Sequence, residues 1–198
     1  MRRSIVAIAV LAIIIPALNS CIFDAQKSEV PPIKKNDGVY RSLEQRDDVL
    51  HNLELAYNQR KIGPYEELLD QDFVFHFSPA DISNNNVSVS NWDRPAELAA
   101  TANMFDRNYS PPNRDPISSI DLDIQFADSA DNWNPVQPDP VKYPGETWYV
   151  QNVDYFLQVK AGQWTYTSGN TIKASFTVRP VDVNGKTIWR IVIWRDDI

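Results

Sequence analysis

Four long segments between residues 117 and 196 restrict the possible folds of this chain more than any other feature. Each is rich in β-branched and aromatic residues, which favour strands over helices. Asn184-Gly185 lies between the last two segments and predicts a two-residue hairpin turn, because both residues tolerate a positive φ. We therefore expect an antiparallel sheet built from the segments ISSIDLDIQFA, ETWYVQNVDYFLQVKA, QWTYTSGNTIKASFTVRPV and KTIWRIVIWRDD.

The preceding part of the chain shows helical periodicity. Apolar residues recur at helical spacing after Ser42, and Gln45 three residues later predicts a capping box. A second, short helix is expected to begin at Gly63-Pro64, since proline suits the first helical turn. A third helix is expected over WDRPAELAATANMFDRN, with Asn91 as its N-cap and with Leu98, Ala99, Ala102 and Phe105 on one face. Three helices followed by a run of strands indicate an α+β domain, in which helices cover one face of the sheet.

The segment DFVFHFS, between the second and third helices, alternates with the period of a strand. Its three phenylalanines share one face, and His76 lies on the opposite face. His76 is therefore interpreted as a structural residue; the alternative is a general base beside Asp70 or Asp72. Those two aspartates are expected to cap or terminate the second helix.

The N-terminus has the order of a signal peptide. Arg2 and Arg3 precede an apolar run from Ile5 to Leu18, which is too short for a typical transmembrane helix. Small and polar residues follow, and then comes Cys21, the only cysteine of the chain. Residues 1–20 are therefore predicted to be a signal peptide, and the polar, proline-containing residues 21–41 a flexible tether.

The sequence LNSC resembles a bacterial lipobox, with Leu18 and Ser20 at two of its expected positions. The resemblance implies cleavage before Cys21 and attachment of a lipid to its thiol, so that the membrane is one partner of the chain. A single cysteine also cannot form an internal disulfide in an exported protein. Ile22, rather than aspartate, follows the cysteine and by analogy indicates the outer membrane of a bacterial cell envelope. The alternative is an ordinary secretory peptide with an incidental cysteine.

The charge balance excludes one class of partner. The formal net charge is −7, from 19 Lys and Arg residues against 26 Asp and Glu residues. Binding to nucleic acid requires a stripe of Lys and Arg that neutralises phosphates, and the sequence contains no such stripe. We therefore expect no nucleic-acid partner.

The order of elements from residue 42 to residue 198 resembles the NTF2-like (SnoaL/ketosteroid-isomerase-like) superfamily. The resemblance rests on AYNQRKIGPYEELLDQDFVFHF and on the terminal WRIVIWRDD. It implies a cone in which N-terminal helices pack on a curved antiparallel sheet and enclose an apolar pocket, often in a dimer. Proteins of this fold include enzymes and non-enzymatic binders, so that the fold alone does not define a function.

The resemblance also provides a test for isomerase chemistry. Ketosteroid isomerases use a tyrosine of the first helix as an oxyanion donor and an aspartate of the first strand as a base. In an ungapped alignment these positions fall on Leu53 and Phe77, which are both apolar. No catalytic residue is therefore predicted. Two histidines and one cysteine without ligand spacing also predict no metal site, and no cofactor is expected.

Our leading prediction is a lipid-anchored envelope protein that binds a small apolar ligand or an envelope protein without catalysis. The predicted pocket residues are Tyr57, Phe77, Met104 and Tyr155. One alternative is a small cofactor-independent enzyme of the dehydratase or isomerase kind, which requires an ionisable residue with a perturbed pKa inside the pocket. The other is a structural subunit that forms a homodimer through its sheet face. Arg190, Arg195, Asp196 and Asp197 are expected to be exposed charges at strand ends.

Overall fold

The computed structural model describes residues 38–83, 87–112, 114–126, 133–168 and 172–196. The helices are α1 (Arg46–Gln59), α2 (Ile62–Leu68), α3 (Pro79–Ser83) and α4 (Arg94–Phe105). The strands are β1 (Leu69–His76), β2 (Asn91–Asp93), β3 (Ile117–Phe126), β4 (Asn134–Val136), β5 (Trp148–Ala161), β6 (Trp164–Thr167), β7 (Ile172–Val183) and β8 (Lys186–Asp196). The α+β class predicted from the sequence is confirmed.

The strands form one curved, open sheet in the order β2-β1-β8-β7-β5-β3, and β4 and β6 also pair with β5. All pairs are antiparallel except β1 and β8, which run parallel. The prediction of a wholly antiparallel sheet is therefore wrong at this one pair. Tight turns force neighbouring strands to be antiparallel, but β1 and β8 lie at opposite ends of the domain sequence and no short turn joins them.

The turn between β7 and β8 is the one that the sequence predicts. Asn184 and Gly185 both have positive φ, 56° and 79°, as a type I′ hairpin requires. The turn continues a ladder that pairs Val183 with Lys186 and extends to Ala174 and Asp196. This long hairpin places the end of β8 in the middle of the sheet.

The helices pack on one face of the sheet. Helix α1 contacts β3 and β8, and it contributes Val49, Leu50 and Leu53 to the main core. Asn58 fixes the position of α1, because its side chain donates to Leu122 O at 2.9 Å and accepts from Leu122 N at 2.6 Å. These two bonds satisfy both backbone groups of one residue of β3 and hold the helix layer against the strand.

Two predicted helix caps are wrong. Helix α1 begins after Gln45, whose side chain makes no capping hydrogen bond, so Ser42 and Gln45 do not form a capping box. Helix α4 begins after Asp93, whose side chain accepts a hydrogen bond from Ala96 N at 3.0 Å. Asn91 cannot cap this helix, because it lies in β2 and pairs with His76.

The buried face of α4 also differs from the predicted one. Glu97, Thr101 and Phe105 are buried, whereas Leu98 is half-buried and Ala99 is exposed. Phe105 is common to both sets. Periodicity counts a carboxylate and a hydroxyl as polar and so predicts that they face solvent, but these two groups are bonded to each other within the protein.

The segment before α1 contacts the domain. Asn52 of α1 donates to Arg41 O at 2.8 Å and accepts from Arg41 N at 2.9 Å. The predicted signal peptide, Cys21 and the tether up to residue 37 lie outside the described residues, and the domain boundaries stay a prediction. Within the described ranges, no helix combines the length and apolar character needed to cross a bilayer.

Candidate ligand-binding site

A cavity of about 730 Å³ lies between the helices and the concave side of the sheet. Its size falls within the range of small-molecule sites. Helices α1 and α4 and strands β1, β3, β5, β6 and β8 all contribute side chains to its wall. The four residues predicted for a pocket, Tyr57, Phe77, Met104 and Tyr155, all line this cavity. Their role in binding stays a prediction.

Aromatic rings in edge-to-face contact form much of the wall. The ring of Phe77 lies 4.9 Å from those of both Phe75 and Trp92. Trp194 lies 5.3 Å from Phe75 and 6.4 Å from Tyr57. Such T-shaped pairs stabilise a defined ring arrangement beyond the area that they bury. The wall is therefore pre-shaped and presents ring faces and edges to the interior.

Glu97 of α4 provides a carboxyl group at the apolar wall and is only 5% exposed. Its Oε1 accepts hydrogen bonds from the Tyr65 hydroxyl at 2.6 Å and from the Thr101 hydroxyl at 2.9 Å. Burial raises the pKa of Glu97 above its ordinary value, although the two hydrogen bonds oppose this shift. The carboxyl group can therefore hold a proton at higher pH than an exposed glutamate does.

Asp196, at the end of β8, provides a second carboxylate and is 4% exposed. Its Oδ1 accepts a hydrogen bond from the Tyr155 hydroxyl at 2.5 Å. The prediction that Asp196 is an exposed strand-end charge is wrong, because β8 continues to Asp196 and alternation places this residue on the same face as Trp194. Arg195 is exposed, whereas Arg190 is half-buried in the interior of β8 and so is not an exposed strand-end charge; Asp197 lies outside the described residues.

Three tyrosine hydroxyls accompany these carboxyl groups. Burial raises the pKa of Tyr57, Tyr65 and Tyr155, and the neighbouring carboxylates raise it further. Glu97 and Asp196 both raise the pKa of Tyr57, and the Tyr57 ring lies 5.5 Å from that of Tyr65, which donates to Glu97, so both carboxyl groups lie near Tyr57. At neutral pH these hydroxyls are protonated, and they can donate hydrogen bonds to a carboxylate or a ligand oxygen.

The opposite end of the cavity opens between the β5–β6 hairpin and the segment that follows α4. Trp164 of this hairpin lines the cavity although it is 54% exposed, and Tyr109 and Pro111 face it from the other segment. Gly162 forms the turn with a φ of 58°, and a Cβ at this position would collide with the Asp115 carboxylate. The hairpin and the segment therefore approach each other closely at the mouth.

His76 lies away from the cavity, on the opposite face of β1, where it pairs with Arg195 of β8. Burial, and to a lesser degree Arg195, lower its pKa below the ordinary value. Leu53 and Phe77, at the positions of the catalytic tyrosine and aspartate of ketosteroid isomerases, lie in different parts of the structure. Phe77 lines the cavity, whereas Leu53 is fully buried in the core and is not part of the wall.

Asp70 and Asp72 do not cap α2, contrary to the sequence-based expectation. They lie in β1, on the sheet face opposite the cavity. There the Arg179 guanidinium group forms ion pairs with Asp70 and Asp72, both at 3.5 Å, and with Glu146 at 3.3 Å. The Tyr143 hydroxyl donates to Asp72 at 2.7 Å, and this bond is the main reason that the pKa of Asp72 is lowered. This cluster connects the loop before β5 to the sheet and has no contact with the cavity.

Sequence reasoning missed the two buried carboxyl groups of the cavity wall, Glu97 and Asp196. One available signal is the spacing of Glu97, Thr101 and Phe105, which places them on one helix face. The other is the alternation of β8, which puts Asp196 in phase with Trp194. In the part of the chain that the structure describes, no group of three His, Cys, Asp or Glu residues could hold a metal ion.

Comparisons with known proteins give fold-level likenesses only. No protein-family model matches the chain, and no curated protein matches it. Similar solved structures include LinA (11% identity, 76% of this chain and 81% of that chain, TM-score 0.42). A protein with a cystatin-like fold from Caulobacter vibrioides is 12% identical over 76% of this chain and 84% of that chain, with a TM-score of 0.41. An NTF2-like protein of unknown function from Cytophaga hutchinsonii is 10% identical over 77% of this chain and 88% of that chain, with a TM-score of 0.34.

At these identities and TM-scores, none of the likenesses carries an argument about the activity of this chain. The architecture itself agrees with the NTF2-like cone that the sequence resembles, since helices cover one face of a curved sheet and a cavity lies between them.

Proposed function

We propose that this protein binds a small, mainly apolar molecule in the cavity between its helices and its sheet. The observation that carries the proposal is the cavity itself, which is wide enough for a small molecule and is lined by aromatic and aliphatic side chains with two carboxyl groups at one end. Ligand sites of soluble proteins share this combination of an apolar wall and a few placed polar groups.

Packing energetics supports the same conclusion. Protein cores are ordinarily close-packed, because every unfilled volume forfeits van der Waals contacts. Here the surrounding core is well filled, and Tyr65, Phe73 and Phe176 are among its fully buried side chains. A folded domain that keeps about 730 Å³ open beside such a core is therefore best explained by a ligand that fills the space.

Native mass spectrometry of the chain purified from its own host tests the proposal. A reproducible adduct that denaturation releases is the expected result, and its mass identifies the ligand class. Ala100→Phe would project a ring into the cavity and should remove the adduct, whereas Ala99→Phe on the exposed side of α4 should retain it. Absence of an adduct, together with no quenching of cavity tryptophan fluorescence by any apolar probe, would contradict the proposal.

The cellular location is part of the proposal and rests on the sequence. Cys21 would carry the lipid, and the domain would be held at the outer membrane of a bacterial cell. Labelling cells with a fatty-acid analogue should mark the wild-type chain but not the Cys21→Ser variant. A labelled Cys21→Ser variant, or an unlabelled wild type, would contradict lipidation at this residue.

A second candidate function is proton transfer on the bound molecule. The raised pKa of Glu97 favours it, because buried carboxyl groups with raised pKa serve as general acids and bases. The test is hydrogen–deuterium exchange, or loss of water, in the released ligand after incubation with the protein in D₂O. Glu97→Gln should stop the reaction while binding persists. If the wild-type protein leaves the ligand unchanged, proton transfer is contradicted and binding without catalysis remains the proposed function.

Dimerisation through the sheet face stays a prediction. The large hydrophobic residues that are exposed within the described ranges lie mainly in loops and helix ends; Trp164 and Val183 are the two in strands. Neither lies in the middle of the sheet, which lends little support to a large apolar interface there. Sedimentation equilibrium of the purified chain would decide between a monomer and a dimer.

A further inference from the structure

The cavity has a polarity along its length. Its acidic lining residues are Glu97, Asp115 and Asp196, and among the described lining residues Arg114 is the one basic side chain. Arg114 and Asp115 are both exposed and lie at the mouth. Among the described lining residues, the two buried acidic ones are therefore Glu97 and Asp196, and none of the buried ones is cationic.

Neighbouring groups make the potential at this end more negative. Asp81 of α3 is buried and, together with Asp196, raises the pKa of Tyr155. The hydroxyls of Tyr57, Tyr65 and Tyr155 are protonated and neutral. They can donate hydrogen bonds to the carboxylates, but they carry no positive charge that would neutralise them. An anionic head group, such as a carboxylate or a phosphate, would be repelled here.

Glu97 retains one oxygen for a ligand. Both of its hydrogen bonds within the described part of the chain end on Oε1, from Tyr65 and Thr101. Oε2 is left without a donor, on a side chain that is about nineteen-twentieths buried and belongs to the cavity wall. This oxygen is accessible from the cavity, where an N–H group of a ligand would give it a charge-assisted hydrogen bond.

The aromatic wall favours the same kind of ligand. Tyr57, Phe75 and Tyr155 each contact the ring of Trp194 and line the same cavity as the carboxyl groups, and all four rings carry electron-rich faces. Cations bind to such faces, most strongly where water is excluded. Carboxylates and aromatic faces at one end of an apolar cavity therefore match an ammonium group attached to an apolar body.

We infer that the occupant of the cavity is a hydrophobic amine, whose protonated nitrogen lies between Glu97 and Asp196 and whose apolar part extends towards Trp164. This inference rests on the proposed binding function and names its ligand class. The ammonium group donates to Glu97 Oε2 and to the Asp196 carboxylate, and the ring faces of Tyr57 and Trp194 cover the remaining surface.

Three probes with one carbon skeleton test the inference: 4-phenylbutylamine, 4-phenylbutan-1-ol and 4-phenylbutanoate. Titration of the purified chain, followed by tryptophan fluorescence and calorimetry, should show the amine binding at least about tenfold more tightly than the alcohol, since a charge-assisted hydrogen bond exceeds a neutral one by that order. The carboxylate should bind most weakly.

Two conservative variants locate the effect. Glu97→Gln and Asp196→Asn keep the acceptor oxygens used by Tyr65, Thr101 and Tyr155, and each should reduce the preference for the amine over the alcohol. The affinity for the alcohol should persist, which shows that the variants are folded. Glu67→Gln, at an exposed position of α2 away from the cavity wall, is the matched control and should leave the preference unchanged.

The outcomes separate the inference from the function on which it rests. Equal affinity for the amine and the alcohol, or tightest binding of the carboxylate, would overturn the inference while binding in the cavity stands. A preference for the amine that survives both Glu97→Gln and Asp196→Asn would overturn it as well. If none of the three probes binds and no adduct is found on the native protein, both the inference and the proposed binding function fail.

Discussion

At the residue scale, Glu97 is the group whose behaviour depends most on its surroundings. An exposed glutamate on a helix would ionise freely and contribute little to stability. Here it is removed from solvent, and two hydroxyl donors only partly replace the water that it loses. The same carboxyl group can thus affect both the stability of the fold and the charge of the cavity.

The free energy of unfolding should depend on pH through Glu97. Its folded pKa is raised above the ordinary value of 4.5, so the folded state keeps a proton that the unfolded chain has lost. The stability that Glu97 contributes is complete below the unfolded pKa and is lost as pH rises through the folded pKa. Glu97→Gln keeps the acceptor oxygen and cannot ionise, so it should gain stability relative to wild type as pH rises.

Urea denaturation of wild type and Glu97→Gln between about pH 4 and about pH 8 measures this difference. Glu67→Gln, at an exposed position of α2, is the matched control variant. A Glu97→Gln curve that stays parallel to the wild-type curve over the whole range would mean that Glu97 titrates as an exposed glutamate.

Arg179 has a structural role on the other face of the sheet. Its guanidinium group faces three carboxylates, and Asp70 is the most buried of them. Arg179→Met should destabilise the protein by about 2 kcal/mol, because it leaves a buried carboxylate without its cation in a partly solvated site. Thermal or urea denaturation measures the loss. Arg190 pairs with Arg179 across the strands, so Arg190→Met removes an equal charge and should lower the free energy of unfolding much less. Equal losses of unfolding free energy in the two variants would show that the ion pairs of Arg179 do not stabilise the fold.

At the element scale, the position of α4 depends on its N-terminus. Asp93 ends β2 and caps α4, so one residue fixes both the end of a strand and the start of a helix. Because Glu97 lies only four residues further along, the cap determines how this carboxyl group is oriented towards the cavity. The N-cap predicted from the sequence, Asn91, lies in β2 and pairs with His76, and Asp93 caps the helix instead.

Asp93→Ala should cost about 1 kcal/mol of unfolding free energy, because it removes the acceptor for Ala96 N. Asn91→Ala is the matched variant at the position that sequence periodicity favours, and it should change the stability far less. Chemical denaturation of both variants, with circular dichroism as the readout, compares them directly. A larger loss for Asn91→Ala would restore the sequence-based N-cap.

At the scale of the whole molecule, the cavity exists because the helix layer is held at a fixed height above the sheet. Asn58 is central to this arrangement, since it links α1 to β3 through both backbone groups of Leu122. Tyr57, the adjacent residue, lines the cavity, so that any shift of α1 also moves the cavity wall.

Asn58→Ala should therefore destabilise the fold by about 1–3 kcal/mol, because two backbone groups of β3 lose their partners. It should also weaken binding of an apolar probe, although Asn58 itself is not part of the wall. Denaturation and fluorescence titration measure the two effects. Gln59→Ala is the control; it loses only a hydrogen bond to Gly38 O and should change neither stability nor binding. If Asn58→Ala lowers stability but not binding, the shape of the cavity does not depend on the contact between Asn58 and Leu122.

The amino-acid sequence by itself determined the features that depend on neighbouring residues. Strand alternation, the positive-φ turn at Asn184-Gly185 and the apolar spacing of α1 are local, and the structure confirms the α+β fold that they predict. The apolar residues chosen for a pocket, such as Phe77 and Tyr155, also converge on one cavity. Local patterns suffice here because aromatic residues are buried wherever the chain permits it.

Only the tertiary structure decided where the charged groups lie. The burial of Glu97 depends on hydroxyls from α2 and α4, and the burial of Asp196 depends on Tyr155 of β5, forty-one residues away in the sequence. The parallel pairing of β1 and β8 is likewise a contact between distant segments. A carboxyl group is buried only if partners from elsewhere in the chain satisfy it, and no local pattern reports those partners.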